Sequence, residues 1–301
     1  MRNFFYLALT VLIISASNSF AQTAAQTEEF KKAIVKLEGI QMRYSFDEIS
    51  SNLLKRIEGI NNITQRETAD IREEYALAKD TIRGTAVLIA DGAKMYMVTA
   101  KHLVVSKEPV FGKQNLNELI VGKVNVNGRI SNDINFMGLT AYVAKMPPFA
   151  FSSDADDVAV ISFAQKDYVN YADYLKGIGC VPIPVQDIVG TDFVNNGEDL
   201  TTVGYPAPSF TDRSVATSTG RARTNNQTAT TYTLGASVTP GYSGAPVFKG
   251  SKLVGIVSYP EGVTSNVDVS KKPYAKASSA KVIKSAVILS VLRELQAKEG
   301  K

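Results

Sequence analysis

The chain has 301 residues, 45% of them apolar, a formal charge of +4, one histidine (His102) and one cysteine (Cys180). So small a positive balance argues against nucleic acid or an anionic membrane surface as a partner. A single cysteine excludes an internal disulfide, so the core alone must hold the fold, and Cys180 reads as a buried apolar residue rather than a nucleophile.

Residues 1–21 have the layout of an export signal. Arg2 supplies a positive start, Phe4 to Ile14 an apolar run, and Ser19-Phe20-Ala21 a small-x-small cleavage pattern, so the mature chain is expected to begin at Gln22. An uncleaved anchor or a buried helix is the alternative. No later segment approaches about 20 unbroken apolar residues, so no stable membrane insertion is expected once the signal is removed. No cysteine follows the cleavage site to carry a lipid. A periplasmic or secreted location follows from this reading.

Residues 22–80 form the next block, dense in Glu, Lys, Ile and Leu and free of proline. Phe30, Ile34, Leu37 and Ile40 fall at near-helical spacing, as do Ile49, Leu53 and Ile57, with a break around Gly59-Ile60-Asn61-Asn62. This predicts a helical N-terminal extension over residues 24–80. It serves either as a packing appendage or as an arm for a partner, for self-association or for gating substrate.

From Thr81 the texture changes to short β-rich runs split by Gly, Pro, Asn and Asp. Gly84 to Ile89 is one strand, Asp91-Gly92 a hairpin turn, and Met95 to Thr99 the returning strand. Further strands are expected at Glu118–Val126, Leu139–Lys145, Val158–Phe163, Asp199–Tyr205, Ser214–Ala222, Thr228–Leu234, Ala245–Phe248 and Lys252–Ser258. Such a series indicates an all-β barrel or sandwich. Lys281 to Glu299 reads as a closing amphipathic helix, with Val282, Ala286, Leu289, Leu292 and Leu295 on one stripe.

Three segments carry chemistry. His102 ends the strand Val98-Thr99-Ala100-Lys101-His102; a lone histidine is more often structural, but imidazole is the natural base near neutral pH. In Gly241-Tyr242-Ser243-Gly244-Ala245-Pro246, Gly241 permits a bend that lets the N–H groups of Gly241 and Ser243 converge as an oxyanion hole, and Gly244 removes bulk beside the hydroxyl. The same residues also suit a tight turn. In Asp156-Asp157-Val158-Ala159-Val160-Ile161, an acid just before a buried strand can orient an imidazole, although paired acids there also suit a solvated turn.

Taken together, these blocks resemble the trypsin-like serine peptidases, above all the disulfide-poor bacterial HtrA-like branch. The likeness rests on Gly84–Ile89 with Val98–His102, on Asp157-Val158-Ala159-Val160, on Val203-Gly204-Tyr205-Pro206, and on Gly241–Val247 with Leu253-Val254-Gly255-Ile256-Val257-Ser258. It spans about Thr81 to Ser290. The resemblance implies two antiparallel six-stranded β-barrels, about 81–170 and 180–280, within a peptidase domain of 81–301. It implies a triad of His102, Asp157 and Ser243, hydrolysis of peptide or protein substrates, and no metal or organic cofactor. It also places Ser237 at the base of the primary pocket, with Ser258 and Tyr259 along one wall. Tyr242 stands where many digestive members carry an aspartate, so activation by a freed N-terminus does not carry over. Two other readings stay open: a silent binding or scaffold module on the same fold, and an esterase-type acyl hydrolase using the same nucleophile.

Overall fold

After a helical segment at residues 26–32, Ile34–Met42 form the first strand, β1. It pairs antiparallel with the 13-residue strand β2 (Lys79–Asp91) along its whole length, from Ile34 against Val87 to Met42 against Lys79. The computed structural model describes residues 26–42, 79–105, 118–122, 134–135, 149–152, 156–163, 171–177, 179–190, 193–206, 215–225, 227–261 and 277–300. The export signal, residues 43–78 and the strand expected at Leu139–Lys145 lie outside them.

A helix over Ile34, Leu37 and Ile40 was the expectation, and a strand is found. Ile34 joins one hydrophobic core with Val87 and Ile89, whereas Val35 and Leu37 join another with Ala86 and Leu88. A strand covered on both faces shows no clean alternation. Its apolar residues then fall by accident at helical spacing.

Beyond the turn at Gly92, where φ is +58°, β3 (Lys94–Thr99) returns along β2, and a single helical turn α1 (Lys101–Val104) follows at once. The remaining strands of this half are β4 (Glu118–Gly122), β5 (Ile134–Asn135), β6 (Phe149–Phe151), β7 (Ala159–Ser162) and, after the helix α2 (Tyr171–Gly177), β8 (Ile183–Pro184). They form an eight-stranded sheet in the order β5-β4-β1-β2-β3-β7-β6, with β8 added parallel to β2. Among the described residues this sheet does not close. A closed six-stranded first barrel is thus not seen among the described residues, and the sheet there takes in β1, which the sequence reading had not placed in it.

The second half does close. Strands β9 (Asp199–Gly204), β10 (Ala216–Arg223), β11 (Thr231–Gly235), β12 (Pro246–Lys249), β13 (Lys252–Glu261) and β14 (Ser279–Lys284) form a six-stranded barrel in the order β10-β11-β14-β13-β12-β9. The expected C-terminal helix is present as α3 but runs Ser285–Glu299, because Lys281–Lys284 belong to β14. Without β14 the barrel would expose the edges of β11 and β13. The buried stripe of α3 is accordingly Ile288, Val291, Leu292 and Leu295, with Ala286 exposed and Val282 inside the barrel. This stripe shares one core with Val98 and Val160 of the first sheet and with Phe248 and Ile256 of the barrel, so the helix cements the two halves. Phe30, from the N-terminal segment, stacks on Phe248 at 3.7 Å between ring centres. Among the described residues no helix is long and apolar enough to cross a membrane.

Candidate active site

His102 sits in α1, directly after β3, and reaches Asp157 just before β7. Since β3 and β7 are paired neighbours, with Thr99 opposite Ala159, the sheet register alone brings the two residues together. Asp157 Oδ1 accepts the backbone N–H of His102 at 2.9 Å, and Oδ2 meets its ring Nδ1 at 2.8 Å. This two-point clamp fixes both the ring and the turn that carries it. The backbone around Asp157 is held in turn by Ser152, whose N–H donates to Val158 O at 2.9 Å and whose hydroxyl accepts Val158 N–H at 3.0 Å.

A third donor arrives from the barrel. Ser258 Oγ donates to Asp157 Oδ2 at 2.6 Å. The pairing of β13 with β14 slips by one residue between Val257 and Tyr259, which leaves Ser258 in a bulge. A bulge re-aims the side chain it carries, and here it turns Ser258 onto the carboxylate and leaves Tyr259 46% exposed. Burial pushes the Asp157 pKa up, but the hydrogen bond and charge of the imidazole, with the Ser258 hydroxyl and the His102 N–H, hold it below the ordinary carboxylate value. An ionised carboxylate only accepts, so Nδ1 is the ring nitrogen that donates to Asp157.

Ser243 lies in the turn between β11 and β12, 8% exposed. Gly241 on one side has φ +99° and Gly244 on the other φ +81°. A Cβ on Gly244 would collide with Thr85 O and Thr99 Oγ1 and crowd Ala100 N, so the serine turn packs against the end of β3, just ahead of His102. The backbone groups of this turn are almost all taken. Tyr242 N–H donates to Thr239 O and Gly244 N–H to Val257 O, while Tyr242 O accepts Ala245 N–H. Thr85 accounts for the two remaining carbonyls of Gly241–Ser243. Its N–H donates to Ser243 O at 2.8 Å and its hydroxyl to Gly241 O at 2.8 Å. Of the backbone donors of Gly241–Gly244, only the N–H groups of Gly241 and Ser243 are left without a partner among the described residues. Backbone donors left open in a buried turn are rare unless a ligand uses them.

Ser243 Oγ makes no hydrogen bond among the described residues, the His102 ring included. Of the residues expected around the primary pocket, Ser237 is exposed and its carbonyl accepts the Ser218 hydroxyl at 2.7 Å. Ser258 is committed to Asp157, and Tyr259 faces a separate cleft. Asp156, the neighbouring acid, makes no bond to His102, and its Oδ1 is buried without a partner. The sequence reading missed Thr85. The signal was a hydroxyl in the otherwise apolar run Gly84–Ile89, since a fully buried hydroxyl needs a partner. Cys180 is buried and unpaired to any sulfur. Among the described residues, no group of three His, Cys, Asp or Glu side chains converges as a metal site requires. A cavity of about 940 Å³ between the N-terminal segment and the barrel, walled by Phe30, Thr201, Gly220 and Arg221, includes none of the site residues.

The comparisons with known proteins bear on the fold and the family. Two solved structures share the fold. One is a variant of the HtrA-type protease AlgW with a decapeptide, 16% identical, TM-score 0.51, covering 93% of this chain and 68% of its own. The other is the protease Anisep from Arthrobacter nicotinovorans, 15% identical, TM-score 0.51, covering 88% of this chain and 96% of its own. No curated protein matches the chain by sequence. A family model for the trypsin-like peptidase domain matches residues 84–256, which takes in His102, Asp157 and Ser243. The chain belongs to the trypsin-like peptidase family.

Proposed function

We propose that the chain is an exported serine endopeptidase in which Ser243 is the nucleophile, His102 the general base and Asp157 the residue that orients the base. Ser243 Oγ attacks the scissile carbonyl as its proton passes to His102 Nε2, and the N–H groups of Gly241 and Ser243 receive the oxyanion. The imidazolium then protonates the departing amine, leaving an acyl-enzyme that water hydrolyses by the same route in reverse. The observation that carries the reading is the pair of open amides flanking Ser243 in a turn whose other donors are engaged. The missing bond between Ser243 and His102 is compatible with catalysis, because such contacts often tighten only when substrate binds.

The same gap also suits the second reading, a silent binding module. Labelling by a fluorophosphonate probe separates the two, for only an activated serine reacts. Wild type is expected to label and Ser243→Ala not to; an unlabelled wild type refutes the enzyme. Matched peptide and ester panels set the endopeptidase against the esterase. Export is tested by N-terminal sequencing of the mature protein, expected to start at Gln22.

A further inference from the structure

We propose that the cleft beside Tyr259 receives a carboxylate of the substrate, so that the chain favours peptides with Asp or Glu at one fixed position near the scissile bond. This rests on the endopeptidase reading and adds a substrate class to it.

The cleft, about 550 Å³, is built by a row of register partners that crosses four strands of the barrel. Arg223 of β10 lies opposite Thr233 of β11, Thr233 opposite Lys281 of β14, and Lys281 opposite Tyr259 of β13. All four residues line the cleft. The Lys281 ammonium stands 5.6 Å above the Tyr259 ring, which helps to hold it there. The Arg223 guanidinium runs over Gly235, where a Cβ would come within 3.0 Å of its Nε.

Neither cation has a carboxylate partner among the described residues. Elsewhere in the same half the rule is different: Lys249 pairs with Glu198, Lys252 with Asp187 and Arg221 with Asp199. Glu261 also lines the cleft, opposite Ser279, and makes no ion pair with either cation. Among the described residues, two cations against one anion leave the cleft positive. Tyr259 follows Ser258, which is bonded to Asp157. The proposal has a peptide held at Ser243 enter the cleft within a few extended residues, each spanning about 3.3–3.6 Å.

The test is fluorescence anisotropy of the Ser243→Ala chain with labelled decapeptide pools that differ only in Glu or Gln at each position in turn. Glu is expected to bind about three- to fivefold tighter at one position, as suits a partly exposed ion pair. The gain should fade towards 1 M salt, where the screening length falls to about 3 Å. Lys281→Gln should remove the gain and Lys281→Glu should reverse it in favour of Gln, while the thermal midpoints of the same variants stay near that of Ser243→Ala. Equal binding of Glu and Gln pools, binding of neither, or an unchanged preference in Lys281→Glu would each overturn the proposal. Loss of probe labelling in wild type would instead remove the endopeptidase reading, and the anisotropy result would still decide the carboxylate preference.

Discussion

Thr85, in the middle of β2, donates its hydroxyl to Gly241 O in the serine turn of the opposite half, at 2.8 Å. The Thr85 hydroxyl oxygen in turn accepts Tyr205 N–H at 3.0 Å, and Thr85 itself is fully buried. One side chain of the first sheet thus holds two loops of the barrel. Thr85→Ala would leave the buried Gly241 carbonyl unsatisfied, at a cost of about 1–3 kcal/mol, and would remove a bond to Tyr205 N–H. Peptidase activity is expected to fall mainly in kcat, as the turn that presents the open amides loosens. Thr85→Ser should restore most of it by returning the hydroxyl. A Thr85→Ala enzyme with wild-type kcat and thermal midpoint would remove Thr85 from this role.

Ser258 and Asp157 allow a graded test of the His102 clamp. Asp157→Asn should lower kcat by about 10⁴, since an amide at that place favours the wrong imidazole tautomer. Ser258→Ala removes one donor of three and should cost much less, about tenfold, with KM little changed. Asp156→Asn should be close to wild type. Steady-state kinetics on one fluorogenic peptide ranks the three, and a larger loss for Asp156→Asn than for Asp157→Asn would move the acid by one residue.

Acid stability has a separate reporter in Glu198. The hydrogen bond from Lys249, followed by the backbone N–H and side-chain amide of Asn195, holds its pKa down at about 2, against an ordinary 4.5. A depressed carboxylate pKa stabilises the fold above the unfolded value, and that contribution is lost as pH falls through the folded one. Wild type should therefore melt above Glu198→Gln at neutral pH, and the gap should close between about pH 4.5 and pH 2. The side chain is about a quarter exposed, so the gap will be modest. Thermal melts across this range decide it; a gap independent of pH would mean that the charge of Glu198 is not its source.

Removing residues 22–80 would have been harmless to the fold had they been an appended helical arm. Because β1 lies between β2 and β4 within the sheet, its loss exposes a long edge of β2 and uncovers Val87 and Leu88. A chain starting at Thr81 is expected to be insoluble or to lose cooperative melting. A soluble, cooperatively melting truncation would show that β1 is dispensable.

The residues of the site were legible in the sequence because each is tied to a local necessity. Gly241 and Gly244 flank a serine that only a left-handed backbone can present, and the observed φ values of +99° and +81° are of that kind. Asp157 precedes a strand whose Val158 to Ile161 run is buried throughout. His102 sits in the helical turn directly after a strand that follows a two-residue hairpin from Asp91. Five of the six strands of the closed barrel, all but β14, were legible for the same reason, since turn residues and β-branched runs mark them locally.

What only the tertiary structure decided is what depends on partners far away in the chain. Ile34–Met42 is a strand because β2 and β4 offer it edges and both of its faces are covered; its own spacing fits a helix equally well. Lys281–Lys284 is a strand for the same reason, since closing the barrel between β11 and β13 outweighs a sequence that could have started α3 earlier. The bonds from Thr85 to Gly241 and from Ser258 to Asp157 join residues 156 and 101 positions apart. No periodicity encodes such pairs. They form because two sheets, each following its own alternation, pack on one shared core and bring those hydroxyls within reach of buried acceptors that must be satisfied.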